Sequence, residues 1–266
     1  MLAILPLVSF LFLFLIISNY DKFWRSSILF TALVWGSFLA VITEILSLFK
    51  LINFGCLLGI WGLLSLSLIW VYFRIIRQNQ SHKLGEKLKI NFQEILKIPS
   101  FLLVLLAGIT LIITTIGLIA LVAPPNTWDS MTYHMSRVVH WQQNHSVSHY
   151  STSIPRQLYQ NPWAEFTIMH LQILSESDRF ANLVQWFSMT GSLIGVSLIA
   201  KELEADLRGQ IFAVVVAGTI PMGILQGSST QNDYVVAFWI ICLVYYTILT
   251  VKSNFSWFNI LAIGLS

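Results

Sequence analysis

Two carboxylates and three arginines are the residues here whose types and positions could do chemistry. Asp129 follows closely on an apolar run that ends at Val122, and Asp233 stands at the start of another, 234–251. A carboxylate within hydrogen-bond reach of an attacking hydroxyl can accept its proton. Asp129 is therefore a candidate general base or acid-site residue, and Asp233 a candidate second acid. A leaving phosphate needs its growing charge met by guanidinium groups or a divalent cation. Arg137, Arg156 and Arg179 lie in or at the end of the stretch that carries Asp129. A divalent cation, Mg2+ or Mn2+, would serve the same end, but two aspartates do not define its ligands.

Each of these residues also has a structural reading. Asp129 before Ser-Met-Thr suits a helix N-cap, and Asp233 can cap the run that follows it. Against this, a carboxylate set beside lipid is costly unless it is used. Arg137 and Arg156 could snorkel to lipid phosphates, Arg179 could anchor the next span, and Glu165 reads as a solvated helix residue with pocket membership as the minor reading. Five of the six histidines (His134, His140, His145, His149, His170) fall within 123–179. The pair His145 and His149 has a zinc-compatible spacing, but there is no His-Glu-x-x-His pattern and no nearby cysteine. Cys56 and Cys242 both lie in apolar runs, which offers neither a disulfide framework nor a CxxC site.

The elements that must position these groups are membrane helices. The chain of 266 residues is 56% hydrophobic and 10% charged, with a mean hydropathy of +0.74, whereas soluble domains carry about a quarter charged residues. The reading is an all-α, polytopic transmembrane bundle. Three spans, 2–18, 27–49 and 51–73, fill residues 1–73. No Lys or Arg precedes the first and no small-residue cleavage site follows it, which argues against a signal peptide. Gly55 and Gly59 form a GxxxG pair that would let helices approach closely. A basic cytoplasmic loop at 74–99 holds Arg74, Arg77, Lys83, Lys87, Lys89 and Lys97.

Spans at 100–122, 180–200, 209–225 and 234–251 make up the core at 100–254, with a large outer loop at 123–179. The stretch 255–266 begins an eighth helix too short to cross, so the chain reads as an N-terminal fragment of something longer. Lys22, Arg25, the basic loop, Lys201, Arg208 and Lys252 fall on one side, and only Lys50, Arg137, Arg156 and Arg179 on the other. The positive-inside rule makes the first side cytoplasmic, which puts Asp129 and Asp233 together on the opposite face. The same topology accounts for the lysines, so nucleic acid is not expected as a partner. Within the outer loop, Met131 to Gln142 and Trp163 to Ile173 have helical periodicity, the second after Pro162. Both are expected to lie in the interface with their aromatic faces in lipid, with a mobile acceptor-binding loop at 144–161 between them.

Taken together, Trp128-Asp129 through Tyr133-His134, Asn161-Pro162-Trp163, Asp178-Arg179-Phe180 and Gln231-Asn232-Asp233-Tyr234 resemble the GT-C glycosyltransferases related to protein O-mannosyltransferases and lipid A aminoarabinose transferases. The likeness covers about 98–252 and rests on order and spacing. It implies a polytopic, inverting enzyme that takes a sugar from a polyprenyl-phosphate donor and transfers it to a glycan, lipid or protein acceptor. By position it implies catalytic roles for Asp129 and Asp233, and substrate binding by Tyr133, His134, Arg137, Arg156, Glu165, Arg179 and Asn232. The implied location is the bacterial plasma (inner) membrane, with an extracytoplasmic active face. Ser130 departs from the pattern, since many relatives carry Glu after the first acid. Two other classes use the same spans: a transporter or flippase for a lipid-linked or anionic substrate, and a non-catalytic membrane subunit that docks through the large loop.

Overall fold

The computed structural model describes residues 2–21, 23–79, 99–252 and 256–266. Most of the expected basic loop, 80–98, therefore lies outside the described residues, as do 253–255. Every regular element described is helical. The helices are α1 (Ile4–Tyr20), α2 (Trp24–Leu48), α3 (Phe54–Asn79), α4 (Ser100–Val122), α5 (Met135–Asn144), α6 (Arg156–Tyr159) and α7 (Trp163–Ser175). They continue with α8 (Leu183–Glu202), α9 (Leu207–Gly218), α10 (Pro221–Gln226), α11 (Asp233–Lys252) and α12 (Trp257–Leu265).

Five helices are long and apolar enough to cross a membrane: α2, α4, α8, α11 and the Phe54–Ile75 part of α3. A backbone in hydrocarbon has to satisfy its own polar groups, which a helix does internally. α4 illustrates the sorting of faces. Leu102, Ile109, Ile116 and Ala120 form one buried stripe, while Val104, Leu111 and Leu118 are exposed and equally apolar. A helix apolar all round with one packed stripe suits a bundle whose outside meets lipid.

Close helix contact arises at a glycine pair other than the expected one. Gly59 faces open space, and a Cβ on Gly55 would meet only the Asn53 side chain at 3.6 Å. The tight approach is between α8 and α11, where a Cβ on Gly191 would meet Phe238 at 2.7 Å and one on Gly195 would collide with Ile241. Gly191 and Gly195 are themselves a GxxxG pair, and small residues there let the two backbones come together.

The expected single span at 209–225 is two helices. α9 ends at Gly218, Ile220 is extended (φ −59°, ψ 119°), and Pro221 opens α10. Proline has no N–H to donate and forces the residue before it out of helical geometry, so an apolar run alone does not guarantee a continuous helix. α7 also departs from expectation. Ala164 to His170 are all buried, and Trp141 and Phe166 lie 5.3 Å apart inside the protein rather than in lipid. α7 packs among α2, α3, α5 and α8, because its apolar residues surround the helix and exclude a one-sided interfacial position.

Hydrogen bonds sort the helix ends into two groups. At the head, Leu2 N–H donates to Leu174 O, Ile52 N–H to His145 O, Val147 N–H to Ser47 Oγ and Asn182 Nδ2 to Ala123 O. At the tail, Arg25 donates to Ser197 Oγ and Gln210 Oε1, Lys201 lies over the Phe23 ring, and Lys252 reaches the Glu202 carbonyl. The stretch from Ala123 to Asn182 and the turn before α11 belong to the head.

Candidate functional site

Thr127 starts the helical segment that carries the first acid. Its hydroxyl accepts the Ser130 N–H at 3.1 Å and its carbonyl accepts the Met131 N–H. The Asp129 side chain makes no capping bond, so the cap is threonine and the aspartate is free for other contacts. Residues Ser130–His134 then form a π-helical turn, in which Met135 N–H reaches back to Ser130 O. Such a turn inserts one residue and re-aims the side chains after it. Here Asp129 stays partly exposed at 34%, while His134 and Arg137 are both buried.

The partner of those two buried groups comes from α7. Glu165, expected on a solvated face, is 0% exposed. Its Oε1 accepts from His134 Nδ1 at 2.7 Å and lies 3.4 Å from Arg137 Nη1. Arg137 does not snorkel. Its Nε donates to Gln157 O at 2.7 Å and its Nη2 to Leu158 O and Gln160 O at 3.3 and 2.6 Å, with the guanidinium 4.9 Å from the Trp141 ring centre. A buried charge is tolerated only when paired and hydrogen-bonded; the carboxylate and three carbonyls do that here.

The loop expected as a mobile binding segment is clasped at several points. Besides the Arg137 bonds, Gln157 Nε2 donates to Thr132 O at 2.7 Å, and Gln157 Oε1 accepts from Tyr150 Oη and Thr152 Oγ1. This clasp sets α6 beside the start of the helical segment. Arg156, 59% exposed, then lies 3.8 Å from Asp129 Oδ1. From the other side, Gln231 Nε2 donates to Asp129 Oδ2 at 3.4 Å, and Thr230 Oγ1 donates to Ser130 Oγ at 2.7 Å. The turn leading into α11, remote in sequence, is thereby docked on the Asp129 segment and brings Asp233 to the same rim.

Tyr133 feels all of these charges. Burial comes first in raising its phenol pKa, followed by the charges of Asp129, Glu165 and Asp233, with Arg156 opposing. It therefore remains a protonated donor at neutral pH. Its ring lies against His134 with centroids 4.0 Å apart. Asp129, Arg156 and Asp233 thus share one rim above the buried Tyr133, His134, Arg137 and Glu165. Asn232 lies on an adjoining crevice with Asn161, Trp163 and Trp239. Arg179 is exposed and forms no ion pair among the described residues; its backbone N–H donates to Ser177 Oγ.

The remaining histidines of this stretch are largely structural. Trp61 Nε1 donates to His170 Nδ1 at 3.1 Å. That leaves the proton on Nε2, which donates to Thr43 Oγ1 at 3.0 Å. Full burial lowers the His170 pKa to about 3, so it is neutral. His145 closes α5 in the left-handed region (φ 52°) and its Nδ1 donates to Ile52 O, while His140 stacks on Tyr150. Among the described residues, no group of three His, Cys, Asp or Glu side chains is placed to hold a metal ion.

Gln157 and Thr230 are contributors that the sequence does not flag, and Gln231 stands in a quoted motif without a role of its own. A neutral amide or hydroxyl carries no periodicity or charge signal. Comparison with protein-family models, curated proteins and solved structures gives no match for this chain.

Proposed function

We propose that this chain is the membrane-embedded core of a glycosyltransferase that moves a sugar from a polyprenyl-phosphate donor to an acceptor hydroxyl. The observation that carries the reading is the contact set around Asp129: a partly exposed carboxylate held by Gln231 and faced by Arg156, with Asp233 on the same rim and the buried Tyr133 beneath it. The donor's hydrocarbon tail stays in lipid while its head reaches this rim. Asp129 takes the proton of the acceptor hydroxyl as its oxygen bonds to the anomeric carbon. The bond from that carbon to the phosphate oxygen breaks, and polyprenyl phosphate leaves with the electron pair and inverted configuration at carbon. Arg156 leaves its loose pairing with Asp129 to meet the phosphate charge, and the Tyr133 hydroxyl donates to the same oxygens or to the sugar. Arg137 acts at one remove, by holding the 157–160 backbone.

In this reading α1 and the broken α9–α10 pair join the five long helices as further crossings. Each runs between the head and tail contacts given above. The head is extracytoplasmic, in a bacterial plasma membrane.

The test uses membranes that contain the full-length protein. Asp129→Asn and Asp233→Asn are each expected to abolish transfer from a polyprenyl-phosphate sugar while expression and melting temperature hold. Transfer at the wild-type rate in both variants refutes the assignment.

One observation favours a transporter or flippase instead. The break before Pro221 interrupts a helix, and Gln185 and Ser192 are buried on α8 without hydrogen-bond partners for their side chains among the described residues, as in proteins with discontinuous helices around a midplane site. Substrate flux in sealed vesicles with no consumption of donor would select that reading.

A further inference from the structure

The chain between α9 and α11 is a hook rather than a slack connection. Ile220 is extended ahead of Pro221, which opens α10, and that helix is wedged in place at two points. A Cβ on Gly223 would collide with the hydroxyl of Tyr234 in the first turn of α11, and one on Gly227 would meet Met189 Sδ at 2.9 Å and Ile116 at 3.0 Å. Ser229 then ties the turn to itself. Its Oγ donates to Gln226 O at 2.8 Å and accepts the Gln231 N–H at 3.2 Å, the way short polar side chains fix a turn. Thr230 is thereby presented on a held support, three residues ahead of Asp233.

Thr230 is 1% exposed and donates at 2.7 Å to the Oγ of Ser130, itself 0% exposed. Burial also sets the order of the bonds beyond it. Ser130 Oγ lies 2.6 Å from Thr127 Oγ1, and a buried hydroxyl hydrogen has no water to use. Ser130 therefore donates to Thr127, and the half-buried Thr127 turns its own hydrogen to solvent. The run from Thr230 through Ser130 to Thr127 joins the start of α11 to the residue that caps the π-turn segment. The other link, from Gln231 Nε2 to Asp129 Oδ2, is 3.4 Å long and only partly buried. It orients a carboxylate, whereas the short buried bond fixes where the two segments meet.

We propose that Thr230 and Ser130 are positioning residues: through their shared bond the α10 hook sets the placement of Asp233 relative to Asp129. Neither hydroxyl touches substrate. The break before Pro221 then serves the docking of α11 and does not mark a path across the membrane. The positioning role rests on the glycosyltransferase reading, whereas the docking does not.

The full-length protein in lipid nanodiscs tests both parts. Thr230→Val keeps the shape of the side chain and removes the donor, Thr230→Ser keeps the donor, and Ser130→Ala removes the acceptor. Hydrogen exchange read by mass spectrometry is expected to rise together at 127–134 and 227–234 in Thr230→Val, with α2 unmoved, and to stay near the wild-type pattern in Thr230→Ser. For transfer from a polyprenyl-phosphate sugar, Thr230→Val and Ser130→Ala should each lower kcat about tenfold or more with KM within about twofold, since misplacement on the order of 1 Å can cost about a hundredfold. Thr230→Ser should restore kcat. Residues that act through one bond are not additive, so the double variant should lose about as much as either single one. If Thr230→Val fails to fold, Ser130→Ala carries the same test. Wild-type kcat in both single variants, multiplied losses in the double variant, or exchange that rises at one segment alone would each overturn the proposal. Transfer lost in Asp129→Asn but unchanged in Thr230→Val removes the positioning role and leaves the reaction standing. Transfer undiminished in both Asp129→Asn and Asp233→Asn removes the reaction, and the exchange pattern then decides the docking by itself.

Discussion

At the head of the bundle a guanidinium, an imidazole and a carboxylate are sealed from solvent within one hydrogen-bonded cluster. At the tail, Arg25, Lys201 and Lys252 contact hydroxyl, amide, ring and carbonyl partners at partly or fully exposed positions. By sequence the tail is cationic, whereas the head sets Lys50, Arg137, Arg156 and Arg179 against a larger number of acids. In the buried head cluster desolvation forces each charge to have a partner, and the cluster then dictates where the backbone at 157–160 must run. In the tail, water or lipid head groups can replace any partner, and the charges set orientation without fixing local geometry. Charge that must be paired builds a site, while charge that remains solvated only marks a side.

The sharpest way to break this contrast is Glu165→Ala, which strands Arg137 and His134 without their carboxylate. Removing one partner of a buried pair costs about 3–5 kcal/mol. The melting temperature in detergent should fall further than for a packing variant in α8 or a charge variant at the tail, and the Asp129–Arg156 proximity should loosen with it. An unchanged melting temperature would mean that the cluster is hydrated, and the contrast would collapse. Gly195→Val probes the packing that holds head to tail. Forcing side-chain atoms into Ile241 should cost about 1–3 kcal/mol, whereas Gly59→Ala, facing open space, should shift stability by no more than about 0.5 kcal/mol.

Acid offers a third handle. His170 is held near pKa 3 in the folded protein against an ordinary 6.5, so between those values the unfolded chain binds the extra proton. Its contribution to stability is fully present above pH 6.5 and declines as pH falls toward 3. Melting temperatures measured across that window should show a slope that His170→Phe flattens; an equal slope in the variant would place the acid sensitivity elsewhere. The smallest effect belongs to the tail. Lys201→Ala should change stability by about 0.5 kcal/mol or less, and a loss as large as that of Glu165→Ala would erase the distinction between the two ends.

Much of the architecture is legible in the sequence because lipid imposes simple rules on long apolar runs. The helices at 24–48, 100–122, 183–202 and 233–252 fall within a few residues of the expected spans. The run that misleads, 209–225, contains its own correction in Pro221, which outweighs hydrophobicity. Glycine spacing is less informative. Gly55/Gly59 and Gly191/Gly195 are the same motif on paper, and only the second has a neighbouring helix against it. In the polar stretch Asp129 keeps the exposed position its sequence suggests, whereas Glu165 and Arg137 do not, because a charged residue on a short helix looks solvated until its burial partners are known.

Sequence alone is sufficient for the class of molecule, for the concentration of histidines in the one polar stretch at 123–179, and for the two aspartates at the borders of apolar runs. Those follow from transfer free energies, which are properties of residues taken singly or in local runs. The tertiary structure decides that the π turn sends His134 and Arg137 inward, that Glu165 meets them, and that Gln231 and Arg156 close on Asp129 from distant parts of the chain. Such pairings depend on which surfaces meet once helices pack, and no local pattern of residues encodes that.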